Sequence, residues 1–337
     1  MKPAALKLPQ GAGGAVDFDS MRQAADWYAL LTSDAAGEDD RRDWQAWLAQ
    51  STAHRQAWAG VESINRQFVM LTGSGAARQA TASALDAGQV SARRRRRMLR
   101  GLLVAGGVFG LAAGAGRIAP VRRLIAGLRA DQQTALGEIR ELTLPDGSLA
   151  WLNTASALQV RYDDSVRRIV LLYGEVLIRT APDARRPMLV ETGQGVLRPL
   201  GTRFDVRQEE DAATRLAVLE GRVEVRLHAG GGAPRVIEAG QQVRFDSRMG
   251  PVEPAPPGLD AWRRNMLLAD DMTLGSMTET LARYRVGILG CDPRVADLRV
   301  TGGYPLSDTD QALRMLAAAL PVRIRSPLPW WTLIEPR

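Results

Sequence analysis

Hydrophobic residues recur at helical spacing over the first seventy positions of the chain. Ala24, Trp27 and Leu31 lie on one side of a predicted helix that Ser20 and Gln23 cap. Two further helices are predicted, one beginning near Glu38 and one capped by Ser51, with apolar faces at Trp44, Trp47 and Leu48 and at Ala57, Val61, Ile64 and Phe68. Residues 20–70 are therefore predicted to form a small all-α bundle, preceded by a disordered segment over residues 1–19.

The most apolar run of the chain occupies residues 101–116 and carries no charge. At a rise of about 1.5 Å per residue it is shorter than the roughly 30 Å hydrocarbon layer, so the apolar residues beside Arg100 and Arg117 must extend it. Residues 98–121 are thus predicted to form one transmembrane helix. A buried helix of a soluble protein is the alternative, but glycine occupies six of the sixteen positions, which disfavours a helix in water.

Beyond this run the hydrophobic period changes to two, which is typical of half-buried strands. Turn signals such as Pro145-Asp146-Gly147-Ser148 separate the alternating segments. Residues 131–250 are therefore predicted to be all-β, as a sandwich or a solenoid-like roll. The alternating residues are Leu158, Val160 and Tyr162, then Val176 and Ile178, then Phe204 and Val206, then Val223, Val225 and Leu227.

The last part of the chain is predicted to be a small α/β subdomain over residues 259–337. Four prolines between positions 251 and 257 indicate a stiff linker before it. Helical patterns then alternate with short strand patterns, the helices at 273–285 and 307–319 and the strands near 286–289, 298–301 and 322–325. The chain is thus predicted to be multidomain.

The net charge of +7 and the pI near 10.2 are common in nucleic-acid-binding proteins. However, residues 93–130 carry ten arginines and no acidic residue, so the excess flanks the predicted span. No direct contact with nucleic acid is expected. Six of these arginines precede the apolar run at residues 101–116 and four follow it, which predicts a cytoplasmic N-terminus and a periplasmic C-terminus. Residues 71–97 are predicted to be a linker with a basic flank.

The sequence offers little material for metal or cofactor chemistry. His54 and His228 are the only histidines and Cys291 is the only cysteine, so neither a zinc site nor an internal disulfide is expected. There is no phosphate-binding glycine loop, and no pair of titratable groups stands at catalytic spacing. We therefore expect no cofactor, no metal and no conventional enzymatic turnover.

Four of the eight tryptophans lie in the predicted bundle. Together with Leu48, they present more aromatic surface than about fifty residues readily enclose. We predict that these residues form a binding face for a partner protein, and the alternative is that all of them are core. The predicted face consists of Trp27, Trp44, Trp47, Leu48 and Trp58.

Short motifs occur in an order that resembles the FecR family over nearly the whole chain. The bundle carries Trp44-x-x-Trp47-Leu48 and Ser51-x-x-His54-x-x-Ala57, and the C-terminal part resembles the short N-terminal (STN) module of secretins and TonB-dependent receptors through Arg283-Tyr284. The motifs of the β region are Leu144-Pro145-Asp146-Gly147-Ser148, Leu152-Asn153-x-x-Ser156, Leu171-x-x-Gly174-Glu175, Arg186-Pro187, Leu200-Gly201-Thr202-Arg203-Phe204-Asp205-Val206 and Leu219-Glu220-Gly221.

This resemblance implies a single-pass inner-membrane anti-sigma factor. Its bundle would hold an extracytoplasmic-function (ECF) sigma factor in the cytoplasm. Its periplasmic part would receive a signal from the signalling domain of a TonB-dependent outer-membrane receptor, and so control iron or siderophore uptake genes. The resemblance also allows periplasmic and intramembrane proteases as further partners. The alternative is a structural or adaptor protein of the cell envelope with no sigma-factor partner.

The pair Gly201-Thr202 matches the position at which some members of the FecR family cut themselves. A threonine hydroxyl can attack the preceding carbonyl and move the acyl group from nitrogen to oxygen, which leaves an ester that water cleaves. Glycine before it is predicted to clear bulk from this approach and to tolerate a strained backbone. The alternative is that Gly201 only shapes a bend before a strand.

Overall fold

The computed structural model describes residues 18–33, 35–73, 129–209, 212–229 and 233–337, with the side chains of the third helix described as far as Arg66. The described residues fall into two compact units. The first unit contains the N-terminal helices together with Val286–Asp297 and Pro321–Arg337. The second contains the β region as far as Arg285, together with Leu298–Leu320.

The described residues form α-helices, one 3-10 helix and β-strands. The helices are α1 (Phe18–Leu31), α2 (Glu38–Gln50), α3 (Thr52–Gly73), α4 (Leu274–Ala282) and α5 (Thr309–Ala319), and a 3-10 helix spans Ala261–Arg264. The strands are β1 (Gln132–Gln133), β2 (Arg140–Thr143), β3 (Leu149–Leu152), β4 (Ala157–Tyr162), β5 (Arg167–Arg179), β6 (Met188–Glu191), β7 (Gly195–Pro199), β8 (Arg203–Gln208), β9 (Thr214–Glu220), β10 (Arg222–Leu227), β11 (Arg235–Glu238), β12 (Gln241–Phe245), β13 (Met249–Pro254), β14 (Met266–Thr273), β15 (Ile288–Cys291), β16 (Arg299–Pro305), β17 (Val322–Leu328) and β18 (Trp331–Pro336).

The predicted helical bundle is present, and local capping explains where two of its helices begin. At α2, Asp40 Oδ2 accepts a hydrogen bond from the backbone N–H of Gly37 at 2.8 Å. At α3, Ser51 Oγ accepts a hydrogen bond from the N–H of His54 at 3.0 Å, as predicted. The predicted cap at Ser20 is wrong, because α1 already includes the two residues before it and buries the Ser20 side chain.

The all-β prediction for residues 131–250 is confirmed. Strands β5 to β13 form a sheet in the order β11-β10-β7-β6-β5-β8-β9-β12-β13. β3 and β4 also pair with β5, and β2 and β1 pair with β3 and β4 in turn. The central strand β5 pairs in parallel with β6 over residues 167–170 and antiparallel with β8 over residues 174–179. One long strand therefore connects the two halves of the sheet.

Both halves of β5 face the same hydrophobic core, but the core residues are odd-numbered in the first half and even-numbered in the second. Ile169 and Leu171 are buried in the first half, and Val176 and Ile178 are buried in the second. Alternate residues of a strand point to opposite faces, so the strand must turn its face over between these pairs. Gly174 lies at this point with φ +87°, a backbone conformation that suits glycine.

The C-terminal helices and strands also form, close to the predicted positions. Asp308 Oδ1 accepts a hydrogen bond from the N–H of Gln311 at 2.8 Å and so caps α5. In the second unit, β14 pairs antiparallel with β16. In the first unit, β15, β18 and β17 form a three-stranded sheet in that order. The likeness to the STN module stays a prediction.

The prediction of a stiff proline linker is wrong for Pro251 and Pro254. Both residues lie in β13, which pairs antiparallel with β12. β13 is the last strand in the order of the sheet. Every N–H of an inner strand donates to a neighbouring strand, whereas an edge strand uses only the N–H groups on one side. An edge strand therefore tolerates proline, which has no N–H.

The predicted span at residues 98–121 lies outside the described residues. The same holds for residues 1–17 of the predicted disordered segment and for most of the predicted linker. Within the described ranges, no helix is both long enough and apolar enough to cross a membrane.

Candidate functional site

The residues predicted to bind a partner meet in the helical bundle. The ring of Trp58 lies 4.8 Å from that of Trp44. Trp47 is only 6% exposed, its Nε1 donates to Gln23 Oε1 at 2.6 Å, and its ring stacks on His54 at 4.4 Å. We call the whole group the tryptophan cluster: Trp27, Trp44, Trp47, Leu48 and Trp58.

Burial divides the tryptophan cluster into a core member and a surface group. Trp47 is buried among side chains of its own unit. It therefore packs the core and offers almost no surface to a partner. Trp27, Trp44, Leu48 and Trp58 are half-buried. A partner can contact these four without unfolding the bundle.

Strands β17 and β18, in the same unit, contact the bundle close to this cluster. Trp330 Nε1 donates to Asn65 Oδ1 at 3.0 Å, and Asn65 Nδ2 donates to Tyr28 Oη at 2.8 Å. Arg325 donates to both carboxylate oxygens of Asp26, at 2.7 and 3.1 Å. Sequence reasoning missed this contact, for which the adjacent aromatic pair Trp330-Trp331 was the one available signal. The buried cluster that both sides share includes Phe18, Met21, Val61, Leu328, Trp331 and Leu333.

The second predicted site, Gly201-Thr202, lies just before β8. The backbone N–H of Thr202 donates to Thr180 Oγ1 at 2.9 Å. The carbonyl oxygen of Thr202 accepts from the N–H of Thr180 at 3.0 Å and from its Oγ1 at 3.2 Å. Thr202 is 5% exposed, and its Oγ1 is buried with no hydrogen-bond partner among the described residues. The hydroxyl needed for self-cleavage is therefore not engaged elsewhere.

Gly201 has the strained backbone that was predicted for it, with a φ of +74° that L-residues rarely adopt. Apart from its two chain neighbours, a Cβ at Gly201 would meet no atom within 4 Å. That glycine clears the approach of the Thr202 hydroxyl stays a prediction. The close approach occurs at Gly221, where a Cβ would lie 2.4 Å from the carbonyl oxygen of Gly201. Gly221 is what lets this carbonyl sit against β10.

A buried polar network lies in the second unit, outside both predicted sites. Glu175 Oε2 forms an ion pair with Arg283 at 2.6 Å and accepts a hydrogen bond from Asn153 Nδ2 at 2.8 Å. Tyr284 Oη donates to Asn153 Oδ1 at 2.8 Å. The Arg283-Tyr284 motif thus closes over Glu175 of β5, a contact that the sequence motifs did not predict.

Two carboxyl groups of this network, those of Glu175 and Asp205, interact with each other. Their surroundings shift their pKa values in opposite directions. Burial opposes ionisation of Glu175, but the charges of Arg283 and Arg207 outweigh it and hold the pKa of this carboxyl below its usual value. Burial and the negative charge of Glu175 raise the pKa of Asp205 well above its usual value. Both effects favour the protonated form of Asp205. Nowhere in the described ranges do three His, Cys, Asp or Glu side chains form a group that could hold a metal ion.

Two stretches of the chain match models of protein families. Residues 130–224 match the model described as FecR protein, and residues 22–64 match a domain of unknown function, DUF4880. No curated protein matches the chain.

Two crystal structures of a protein from Parabacteroides distasonis ATCC 8503, assigned as an anti-sigma factor, share the fold. They were determined at 1.65 and 2.50 Å resolution and superpose with TM-scores of 0.52 and 0.51. Each is 21% identical, and the match covers 61% of this chain and 98% of the other. At this identity the similarity concerns the fold alone.

Proposed function

This chain belongs to the FecR family, and we propose that it is an anti-sigma factor whose bundle holds an ECF sigma factor in the cytoplasm. The observation that carries this proposal is the tryptophan cluster, which lies within the residues that match the N-terminal family model. Half-buried aromatic side chains in a short bundle are the kind of surface that anchors a partner helix. The role of such a family is regulatory rather than enzymatic.

We propose that the chain spans the inner membrane once, over residues 98–121, with its N-terminus in the cytoplasm and the residues after the span in the periplasm. A chain of this topology keeps the bundle and strands β17 and β18 on opposite sides of the membrane. The contacts of Asp26 with Arg325 and of Asn65 with Trp330 then cannot form within one molecule. The bundle surface that they cover is left facing the cytoplasm, and we propose that the sigma factor occupies it.

Replacing Trp58 with alanine is expected to weaken capture of the sigma factor about 5- to 30-fold, because truncating an aromatic anchor commonly removes about 1 to 2 kcal/mol of binding free energy. Pull-down of the sigma factor by the full-length chain in detergent, over a range of concentrations, measures the change. Gln56→Ala alters an exposed side chain of the same helix and is the matched control. Capture at full affinity by a Trp58→Ala chain of unchanged helicity would show that Trp58 only packs the bundle.

We further propose that residues 259–337 bind the signalling domain of a TonB-dependent outer-membrane receptor, and that the system controls iron or siderophore uptake genes. Strands β14 and β16 pair with each other and, among the described residues, with no third strand. Their outer edges can therefore accept a strand from a partner. Leu268 of β14 is 40% exposed and lies on this small sheet. Periplasmic and intramembrane proteases are further partners that such signalling would use.

A cysteine placed at position 268 tests both the topology and the receptor contact. In a Cys291→Ser background, we expect Leu268→Cys to react with a membrane-impermeant maleimide from the periplasm, and added receptor signalling domain to slow the reaction severalfold. Gln45→Cys, exposed on α2, should react only after the inner membrane is disrupted. Reaction of Gln45→Cys in intact spheroplasts contradicts the topology, and unchanged reaction of Leu268→Cys with the receptor domain contradicts the contact.

We also propose that the chain cuts itself between Gly201 and Thr202. Thr202 Oγ attacks the carbonyl carbon of Gly201, the C–N bond breaks, and the hydroxyl proton ends on the nitrogen, which leaves an ester and a free amine. Water then adds to the ester, which frees the carboxylate of Gly201 and restores the hydroxyl of Thr202. The unengaged hydroxyl, the left-handed Gly201 and its exposure to solvent support this reaction. Splitting of the full-length chain on a denaturing gel measures it.

A further inference from the structure

We propose that Thr180 is a catalytic residue of this self-cleavage, acting as the proton donor to the nitrogen of the bond that breaks. The inference rests on the self-cleavage proposed above. It arises from an irregularity in how β5 and β8 pair. The regular ladder between them ends at the pair of Arg179 with Arg203. Thr180 directly follows β5, and Thr202 directly precedes β8.

At this next pair a side chain replaces a main-chain acceptor. The N–H of Thr180 donates to the carbonyl of Thr202 at 3.0 Å, as an antiparallel ladder requires. The return bond from the N–H of Thr202 goes instead to Thr180 Oγ1, at 2.9 Å. The scissile nitrogen is therefore held by a hydroxyl, whereas the neighbouring nitrogens of the ladder are held by carbonyls.

The difference between a hydroxyl and a carbonyl matters for this reaction. The amide nitrogen has no basic lone pair while the peptide bond is planar, but it becomes an amine when Thr202 Oγ adds to the carbonyl of Gly201. A carbonyl could only accept from this nitrogen. A hydroxyl can rotate and donate, so Thr180 can pass its proton to the nitrogen as the C–N bond breaks. The proton that Thr202 Oγ releases as it adds to the carbonyl replaces the one that Thr180 gives to the nitrogen, so protons balance.

The surroundings fix the other reacting groups in the same place. The carbonyl oxygen of Gly201 and the methyl group of Thr202 both pack against Gly221, where a Cβ would lie 2.4 and 2.9 Å from them. Thr202 is buried, whereas Gly201 is exposed, so water can reach the ester from outside. Within the part of the chain that the structure describes, Thr180 is thus the side chain that hydrogen-bonds to the scissile nitrogen.

The test follows newly made full-length chain by pulse labelling in its own host and measures the rate of splitting on denaturing gels. Wild type is expected to split and Thr202→Ala to stay intact. Thr180→Val, which keeps the shape and loses the hydroxyl, is expected to slow splitting about 100-fold, within the range of general acid catalysis. Thr180→Ser should split within a few-fold of wild type. Thr278→Val removes a buried hydroxyl elsewhere in the second unit and should have no effect.

The outcomes separate the two ideas. If wild type stays intact, the self-cleavage itself is wrong. If wild type splits and Thr180→Val splits as fast, self-cleavage stands and the role of Thr180 is wrong. If Thr180→Ser splits as slowly as Thr180→Val, the role of Thr180 is also wrong, because restoring a hydroxyl would not restore the rate of splitting. Thr180→Ala is the second hydroxyl-free variant if Thr180→Val unfolds. Hydroxylamine, which cleaves esters, should not restore splitting in Thr180→Val, since that variant stops before the ester.

Discussion

Replacing Arg283 with alanine is expected to lower the free energy of unfolding of the second unit by about 3 to 5 kcal/mol. Arg283 is the cation paired with Glu175, at 2.6 Å, and both side chains are largely removed from water. Without it, the charge of Glu175 is left beside Asp205 with its main compensation gone. The buried network then favours unfolding, or protonation of both carboxyls.

Hydrogen exchange at the amides of β5 and β8 in the full-length chain, over a urea series, measures this loss where it occurs. Arg299→Ala is the matched control, because Arg299 pairs with Asp271 at 3.4 Å while the two side chains are 60% and 73% exposed. Its removal should change stability by no more than about 1 kcal/mol. Equal effects of the two substitutions would mean that the Glu175 network does not depend on its arginine.

Gly174→Ala is expected to be more damaging than Gly147→Ala by at least about 2 kcal/mol of unfolding free energy. Both glycines have a left-handed backbone, with φ of +87° and +82°, so both variants carry the strain of about 1 to 2 kcal/mol for an L-residue. A Cβ at Gly147 meets nothing within 4 Å. A Cβ at Gly174 would lie 2.2 Å from Ser156 Oγ and 2.5 Å from Ser156 Cα, so β4 and β5 would have to separate.

The comparison isolates close packing from backbone strain, because only packing differs between the two positions. Urea unfolding of the two full-length variants, followed by exchange at β4 and β5, gives the difference. Similar stabilities would show that β4 moves aside at little cost. The close approach of these strands would then not be what keeps glycine at position 174.

Local patterns predicted which segments are helices and strands, because those patterns record one buried face. Alternation at Leu158, Val160 and Tyr162 predicted β4, and helical spacing predicted α2 and α3. The pairing of strands was not predictable in this way. β5 changes its buried face at Gly174, and Ser156, the residue before β4, lies against that glycine, a contact that no local pattern reveals.

The same limit applies to the candidate sites. Gly201 and Thr202 are neighbours in the chain, so the sequence could show their chemistry. Thr180 meets them only through the register of β5 against β8, which the sequence does not state. Helical spacing placed the tryptophans together, but the burial of Trp47 depends on how the helices pack. Sequence reasoning is therefore strongest for adjacent residues and weakest for contacts between distant strands.

The place of the cut within the sheet has a mechanical consequence. Severing the chain after Gly201 would leave β1 to β7 on one piece and β8 onward on the other. Two seams would then join the pieces, β5 with β8 and β7 with β10. A pull on the C-terminal piece would load these hydrogen-bonded seams in place of a covalent backbone. The protein would then contain a weak link of defined position, which yields at a force far below that needed to break a peptide bond.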